Sequence, residues 1–177
     1  IKVNQLLINE SPDFETRDAY NIRLQTTDSG GLSLEKEFTI KAKGVNETPT
    51  EISLSTTEFK EHILAESMVA KLSTKDPDTD DHFTYSLING EGDDDNPIFY
   101  ISGDQLLINT SPDFETKDTY SVRLQVMDSG GLTLEKAFKL NVTDENEAPS
   151  ELAISTATFT ENIPTGSTIT TFSSTDP

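Results

Sequence analysis

Cysteine and tryptophan are both absent from this 177-residue chain, and basic residues are scarce. Without cysteine no disulfide can staple the fold and no zinc–thiolate site can form. A core of this size would gain from some other staple. Lys and Arg number 13 against 32 Asp and Glu, a formal charge of -19, which argues against nucleic acid or an anionic membrane as partner and favours something cationic. For many individual carboxylates the plain reading is a solvated acidic surface that keeps the protein soluble. No apolar run is long enough to span a bilayer, and no basic segment followed by an apolar one opens the chain, so Ile1 reads as the start of a fragment. Hydrophobic residues make up 33%, enough for one or two modest cores but not for a large enzyme.

What is present is a doubled text. QLLINESPDFET from Gln5 returns as QLLINTSPDFET from Gln105, and TDSGGLSLEK from Thr27 returns as MDSGGLTLEK from Met127. Laid without a gap, Asn4 to Pro77 on Asp104 to Pro177 are identical at about half their positions, so the period is about 100 residues. Strand-like alternation dominates: Tyr120, Val122, Leu124 and Val126 point one way, and Tyr20, Ile22 and Leu24 repeat that face. Phe138, Leu140 and Val142 predict a second strand, Phe83, Tyr85 and Leu87 a third, and Asp-Ser-Gly-Gly supplies hairpin turn chemistry. No segment keeps a helical spacing. The expectation is an all-β chain of tandem Greek-key β-sandwiches with about seven strands per repeat.

Proline sets the phase. Asn46-Glu47-Thr48-Pro49 and Asn146-Glu147-Ala148-Pro149 each follow a long strand and precede a new one, as a short stiff linker does. The expected domains are therefore 1–49, the C-terminal part of one repeat; 50–149, a complete repeat; and 150–177, the N-terminal part of the next. Each partial repeat would expose unpaired edges and half a core. Either the chain was cut from a longer array or its pieces find partners in another molecule. The first is favoured, because the two ends together lack a match for Asp78 to Tyr100.

Five acidic motifs recur or can be placed on the full repeat: Glu61 in FKEH, with Glu161 in FTEN; Asp76-Pro-Asp78 followed by Asp80 and Asp81; Asp113-Phe-Glu115, with Asp13 and Glu15; Asp128 in DSGG, with Asp28; and Asp144-Glu-Asn-Glu147. One DxD or DxE says little, since surface turns often contain them. Five in this order resemble the cadherin repeat, with its Glu on the first strand, DxD turn, DxE motif, Asp before glycine and acidic linker ending in proline. The resemblance covers essentially the whole chain and implies a cadherin/immunoglobulin-like sandwich. DPDTDDHFTYSL, GEGDDDN, DFET and DENEAP look most like the cadherin-like repeats of large bacterial surface proteins.

The family implies Ca2+ between consecutive repeats, three ions bound by groups from both. Carried over by residue, the first junction would use Asp13, Glu15, Asn46, Glu47, Asp76, Asp78 and Asp128, with Asp80 closing the loop. The second would use Glu61, Asp113, Glu115, Asp144, Asn146, Glu147 and Asp176. The chain departs from the pattern at Gly44, where the second junction has Asp144, and at Glu47 and Glu147, where the family usually has Asp. Fewer or weaker ions are expected at the first junction. Independently of the family, carboxylates about 4 Å apart repel by about 1 kcal/mol in water and more at a protein surface, and a hard cation with six to eight oxygen ligands reverses that sign. Asp93-Asp94-Asp95-Asn96 reads either as a further ion loop or as a solvated acidic turn.

The leading functional reading is an extracellular, cell-surface, calcium-stiffened array that extends or forms part of an adhesin or filament, with neighbouring cadherin-like repeats as partners. The alternative is calcium-dependent recognition of a polysaccharide or of a like repeat, but only 7% of residues are aromatic, and most of these fall on inward strand positions. A module appended to a secreted hydrolase is a third. His62 and His82 are far apart with no Ser or Cys motif, so no enzyme is read here.

Overall fold

The computed structural model describes residues 5–176; Ile1, Asn4 and Pro177, where the repeat alignment begins and ends, lie outside the described residues. Twelve strands appear among them: β1 (Ala19–Thr27), β2 (Ser33–Lys41), β3 (Glu51–Leu54), β4 (Glu58–Lys60), β5 (Met68–Lys75), β6 (Thr84–Leu87), β7 (Phe99–Ser102), β8 (Gln105–Ile108), β9 (Thr119–Met127), β10 (Thr133–Thr143), β11 (Glu151–Ile154) and β12 (Phe172–Thr175). One 3-10 turn, Asn96–Ile98, leads into β7. The chain divides into two compact units, Ile1–Ile52 with Thr74–Thr84 and Val126–Leu134, and Ser53–Ser73 with Tyr85–Gln125 and Glu135–Pro177.

In the first unit β1 and β2 form an antiparallel hairpin that runs in unbroken register from Ala19 opposite Lys41 to Thr27 opposite Ser33. Its turn is built by Asp28, whose Oδ1 accepts from the N–H groups of Gly30 and Leu32 at 2.9 and 2.8 Å. Gly31 takes a φ of 89° there, which a side chain would resist. The same turn recurs at Asp128 to Leu132, with Gly131 at 90°.

Two four-stranded sheets, β4-β10-β9-β6 and β3-β5-β8-β7, and a two-stranded antiparallel sheet, β11-β12, carry the rest of the fold. Eight strands thus lie between residues 50 and 149, where about seven per repeat were expected. The alternation read in the sequence is real: Tyr120, Val122, Leu124 and Val126 are buried along β9. In the second unit both sheets feed one core, Phe59, Tyr120, Val122, Leu140 and Val142 from one and Val69, Phe99, Leu106 and Ile108 from the other. Phe99 stands edge-on to Phe59 and Tyr120, with ring centroids 6.5 and 5.6 Å away, the arrangement ring quadrupoles favour. Each such side chain, buried from water, contributes about 1.5–3 kcal/mol. The β-sandwich predicted from the alternation is the fold observed.

Β4 pairs in parallel with β10, Phe59 opposite Val142, and β8 pairs antiparallel with both β5 and β7. These pairings decide which copies of the doubled text become strands. QLLI is strand β8 at Gln105–Ile108, yet at 6–8 the same letters form none. Likewise 58–60 is strand β4 while 158–160 is not. Identical or equivalent sequence becomes a ladder only where its neighbour strands exist, because an isolated strand has no partner for its N–H and C=O groups.

Candidate metal centres

The first unit holds two carboxylate groups. Glu15, Glu47 and Asp78 place one oxygen each within 4.8 Å of one another, and so do Asp76, Asp81 and Asp128. The Asp-Pro-Asp turn is self-braced, with the Asp78 N–H donating to Asp76 Oδ1 at 2.9 Å, and Asp78 Oδ2 in turn accepts from the Glu47 N–H at 2.8 Å. Asp128 is buried. Its Oδ1 accepts from the Leu132 N–H at 2.8 Å and its Oδ2 from Asn46 Nδ2 at 2.9 Å. Burial alone would raise this carboxyl, but the Asn46 amide and the N–H groups of Leu132, Gly131 and Gly130 hold it below its usual range. A Cβ at Gly130 would overlap the Asn46 amide, so the second residue of the Ser-Gly-Gly turn must be bare for the linker to reach Asp128.

Asp81 holds the Ser129 hydroxyl. Its other oxygen, and Asp76 Oδ2, are buried with no hydrogen-bond partner. Glu47 has its carboxyl raised by burial and then by the charges of Glu15, Asp78 and Asp13. Asp13 does something else: its oxygens accept from the Thr16 N–H and hydroxyl at 3.0 and 2.9 Å, and the Thr16 backbone bond first, then the hydroxyl, lower its carboxyl. It therefore shapes the loop that projects Glu15. Gly44 sits against the Phe14 ring, which a Cβ would meet at 3.0 Å.

The second unit repeats the plan. Glu61, Glu115, Asp144 and Glu147 form one group, and Glu61, His62 and Glu147 another that shares two of its members. Glu61 is buried, its Oε2 accepting from the Phe114 N–H at 2.8 Å and its Oε1 from the Glu145 N–H at 2.6 Å. Those two backbone bonds, Glu145 first, lower its carboxyl. Glu147 is raised by burial and then by Glu115 and Glu61, and its Oε2 is buried without a partner. Asp113 again caps the loop, accepting from the Thr116 N–H at 3.0 Å. His62 takes a left-handed φ of 58°, and its Nε2 lies 3.2 Å from Glu147 Oε1 and 4.0 Å from Glu61 Oε2.

Of the residues singled out in the sequence, Glu15, Glu47, Asp76, Asp78 and Asp128 are gathered in the first unit, and Glu61, Glu115, Asp144 and Glu147 in the second. Asn46 reaches Asp128, whereas the Asn146 amide donates to the Glu147 carbonyl at 3.1 Å. Asp13, Asp80, Asp113 and Asp176 are exposed and fall in none of these groups. Asp81 and His62 join them without having been named as ligands. Both flanked a motif in the sequence, Asp81 after DPDTD and His62 after FKE, but nothing there marks which neighbour turns inward. In the Asp93–Asn96 loop, Asp95 is buried, accepts from the Ser121 N–H at 2.8 Å and pairs with Lys117. That carboxylate pins a loop to β9.

The donors are oxygens throughout, apart from one imidazole, and three buried carboxylate oxygens point at no protein donor. Such a set fits a hard divalent cation of flexible coordination, and Ca2+ is the one that takes six to eight oxygens.

No family model matches the chain. Among curated proteins it is 33% identical over 160 residues to human protocadherin-16, covering 80% of this chain and 5% of that protein. It is 31% identical over 127 residues to mouse cadherin-24, covering 64% and 16%. The chain thus spans only a small part of these relatives. Among solved structures, extracellular cadherin domains 1–4 of protocadherin gamma B7 superpose with a TM-score of 0.67 at 19% identity, over 94% of this chain and 42% of that one. Fold and sequence similarity agree, and the chain is a cadherin-like protein with the β-sandwich fold of the cadherin superfamily.

Proposed function

We propose that the two acidic sites bind Ca2+ and that binding stiffens a tandem array of cadherin-like repeats, phased 1–49, 50–149 and 150–177, as the extender or structural part of an extracellular, cell-surface adhesin of the kind found in large bacterial surface proteins. The observation that carries this is that buried carboxylate oxygens without a hydrogen-bond partner, on Asp76 and Asp81 in the first unit and Glu147 in the second, occur in the same units as the linker carboxylates Glu47 and Glu147, whose carboxyls are raised by burial and like charge. Glu15, Glu47, Asp76, Asp78, Asp81 and Asp128 would hold the cation in the first unit, and Glu61, Glu115, Asp144 and Glu147 in the second. Asp13 and Asp113 position the loops, and Asn46 and Asn146 brace the linkers. Bound there, the cation supplies positive charge that turns carboxylate repulsion into cross-linking. Without it, the linker carboxylates repel their neighbours, and the Pro49 and Pro149 linkers are held by fewer bonds. Gly44, pressed on Phe14, offers no counterpart to Asp144, so the first site is the weaker.

At the affinities of extracellular modules, with Kd about 10⁻⁴ to 10⁻³ M, a tenfold excess of calcium stabilises by about 1.4 kcal/mol per ion. A calcium titration followed by melting temperature is expected to raise Tm in the wild type and much less in Asp78→Ala or Asp128→Ala. X-ray scattering should show a longer, stiffer particle with calcium than with EDTA. A melting point and particle length indifferent to calcium would sink the reading.

A further inference from the structure

His62 is the one nitrogen donor in the carboxylate groups of the described residues, and calcium, a cation that takes oxygens, has no use for it. Its place follows from the backbone. Successive side chains along a strand point to opposite faces, so Glu61 and His62, which follow β4, would ordinarily diverge. The left-handed φ of 58° at His62 breaks that alternation. Glu61 N–H donates to the Thr143 carbonyl at 3.2 Å and His62 N–H to the Pro112 carbonyl at 2.9 Å, which fixes the turn on both sides. Both side chains then meet at Glu147: His62 Nε2 lies 3.2 Å from Glu147 Oε1 and 4.0 Å from Glu61 Oε2. The turn itself does not demand histidine. The next copy of the motif, FTEN, puts Asn162 at a φ of 64°, and Asn and His both tolerate that region.

The cluster has an unmet need at Glu147, whose Oε2 is buried without a hydrogen-bond partner. A protonated His62 would pair with Oε1 and leave that second oxygen bare, whereas a divalent ion compensates the whole carboxylate. Glu61 is 1% exposed and held by the N–H groups of Phe114 and Glu145, so it offers a fixed carboxylate at the base of the site. The imidazole is 49% exposed, which opens the site to solvent on that side and gives an ion a path in. Tetrahedral bonds of about 2.0–2.1 Å set donor atoms about 3.3 Å apart. The spacing from Nε2 to Glu147 is already close to that, and the spacing to Glu61 reaches it when the exposed ring swings in by about 0.7 Å.

We propose that Glu61, His62 and Glu147 form a Zn2+ site, in which one imidazole nitrogen, a carboxylate oxygen from each glutamate and a water complete a tetrahedron. Imidazole suits zinc, whereas calcium selects carboxylate, carbonyl and water oxygens. Glu115 and Asp144, grouped with the same two glutamates, add negative charge around the ion. In the first unit the groups of Glu15, Glu47 and Asp78 and of Asp76, Asp81 and Asp128 hold carboxylates only, so the preference for zinc belongs to the second unit. Zinc and calcium would draw on the same Glu61 and Glu147, so each excludes the other there. That exclusion rests on the calcium reading; the zinc site does not.

The test is a zinc titration of the 177-residue chain by calorimetry in calcium-free buffer at neutral pH, with the rings of its 2 histidines, His62 and His82, followed by NMR. Zinc is expected to bind at one site well above the background of scattered surface carboxylates. It should shift the His62 ring and leave in place that of His82, which is exposed and outside these groups. His62→Asn keeps the left-handed turn as Asn162 does, so the cooperative melting transition should be retained while zinc affinity falls by about tenfold or more. Glu147→Gln should lose zinc affinity likewise, and His82→Asn should match wild type. Zinc bound equally by wild type and His62→Asn would overturn the proposal. So would a His62 ring that zinc leaves unmoved, the imidazole then being an ion-pair partner only. With no calcium in the cell, neither result touches the calcium reading.

Discussion

Asp128 holds the first site together because each of its oxygens faces a donor, Leu132 on one side and Asn46 on the other. Glu147 is its opposite, a carboxylate raised by burial and like charge and left with an unpartnered oxygen. The two predict opposite effects of neutralisation in EDTA. Asp128→Ala should melt lower than wild type, whereas Glu147→Gln should melt higher and lose most of its calcium response. The pH dependence follows the same signs. Glu47 and Glu147, raised in the folded chain, destabilise it once both states are ionised, so their cost is relieved as pH falls from 7 through their raised values. Glu61, Asp13 and Asp128, lowered in the folded chain, stabilise it above about pH 4 and lose that contribution as pH falls through their folded values. Melting in EDTA should therefore be higher in mild acid than at pH 7 and fall again in stronger acid; with excess calcium the gain on acidification should vanish, because protons then displace metal. Asp78 and Asp128 were legible in the sequence because motif spacing fixes their turns. The inward turn of Asp81 and the left-handed backbone of His62 were not, since both depend on contacts with residues distant in sequence.

At the level of the strand, the two QLLI segments are a natural experiment with sequence held constant. Β8 has β5 on one side and β7 on the other, while 6–8 has neither kind of neighbour. Amide exchange in dilute chain should be slow at Leu106–Ile108 and fast at Leu6–Ile8. Side chains divide likewise. Leu124 is fully buried and Leu24 is not, so Leu124→Ala should cost about 2–5 kcal/mol in urea unfolding, and Leu24→Ala a small fraction of that. Period-two alternation announced β1, β6, β9 and β10 because one face of each is apolar. It missed β7 and the β7·β8 pairing, where Phe99, Tyr100 and Ile101 run without alternation and only a tertiary partner defines the edge.

For the whole molecule, a formal charge of -19 makes the folded state repel itself, a cost that dissolved cations screen. The parallel pairing of β4 with β10 has a mechanical consequence as well. Β4 and β10 are more than 80 residues apart in sequence, with Glu58 to Lys60 alongside Asn141 to Thr143. A force drawing the two ends of the repeat apart slides these strands along each other, loading their hydrogen bonds together in shear rather than unzipping them one by one. Pulled by its termini in a force spectrometer, the sandwich should yield in a single high-force event. Asn141→Pro, which removes the N–H that donates to the Thr57 carbonyl at 2.8 Å in that short ladder, should lower the rupture force far more than a proline in β7, which bears no end-to-end load.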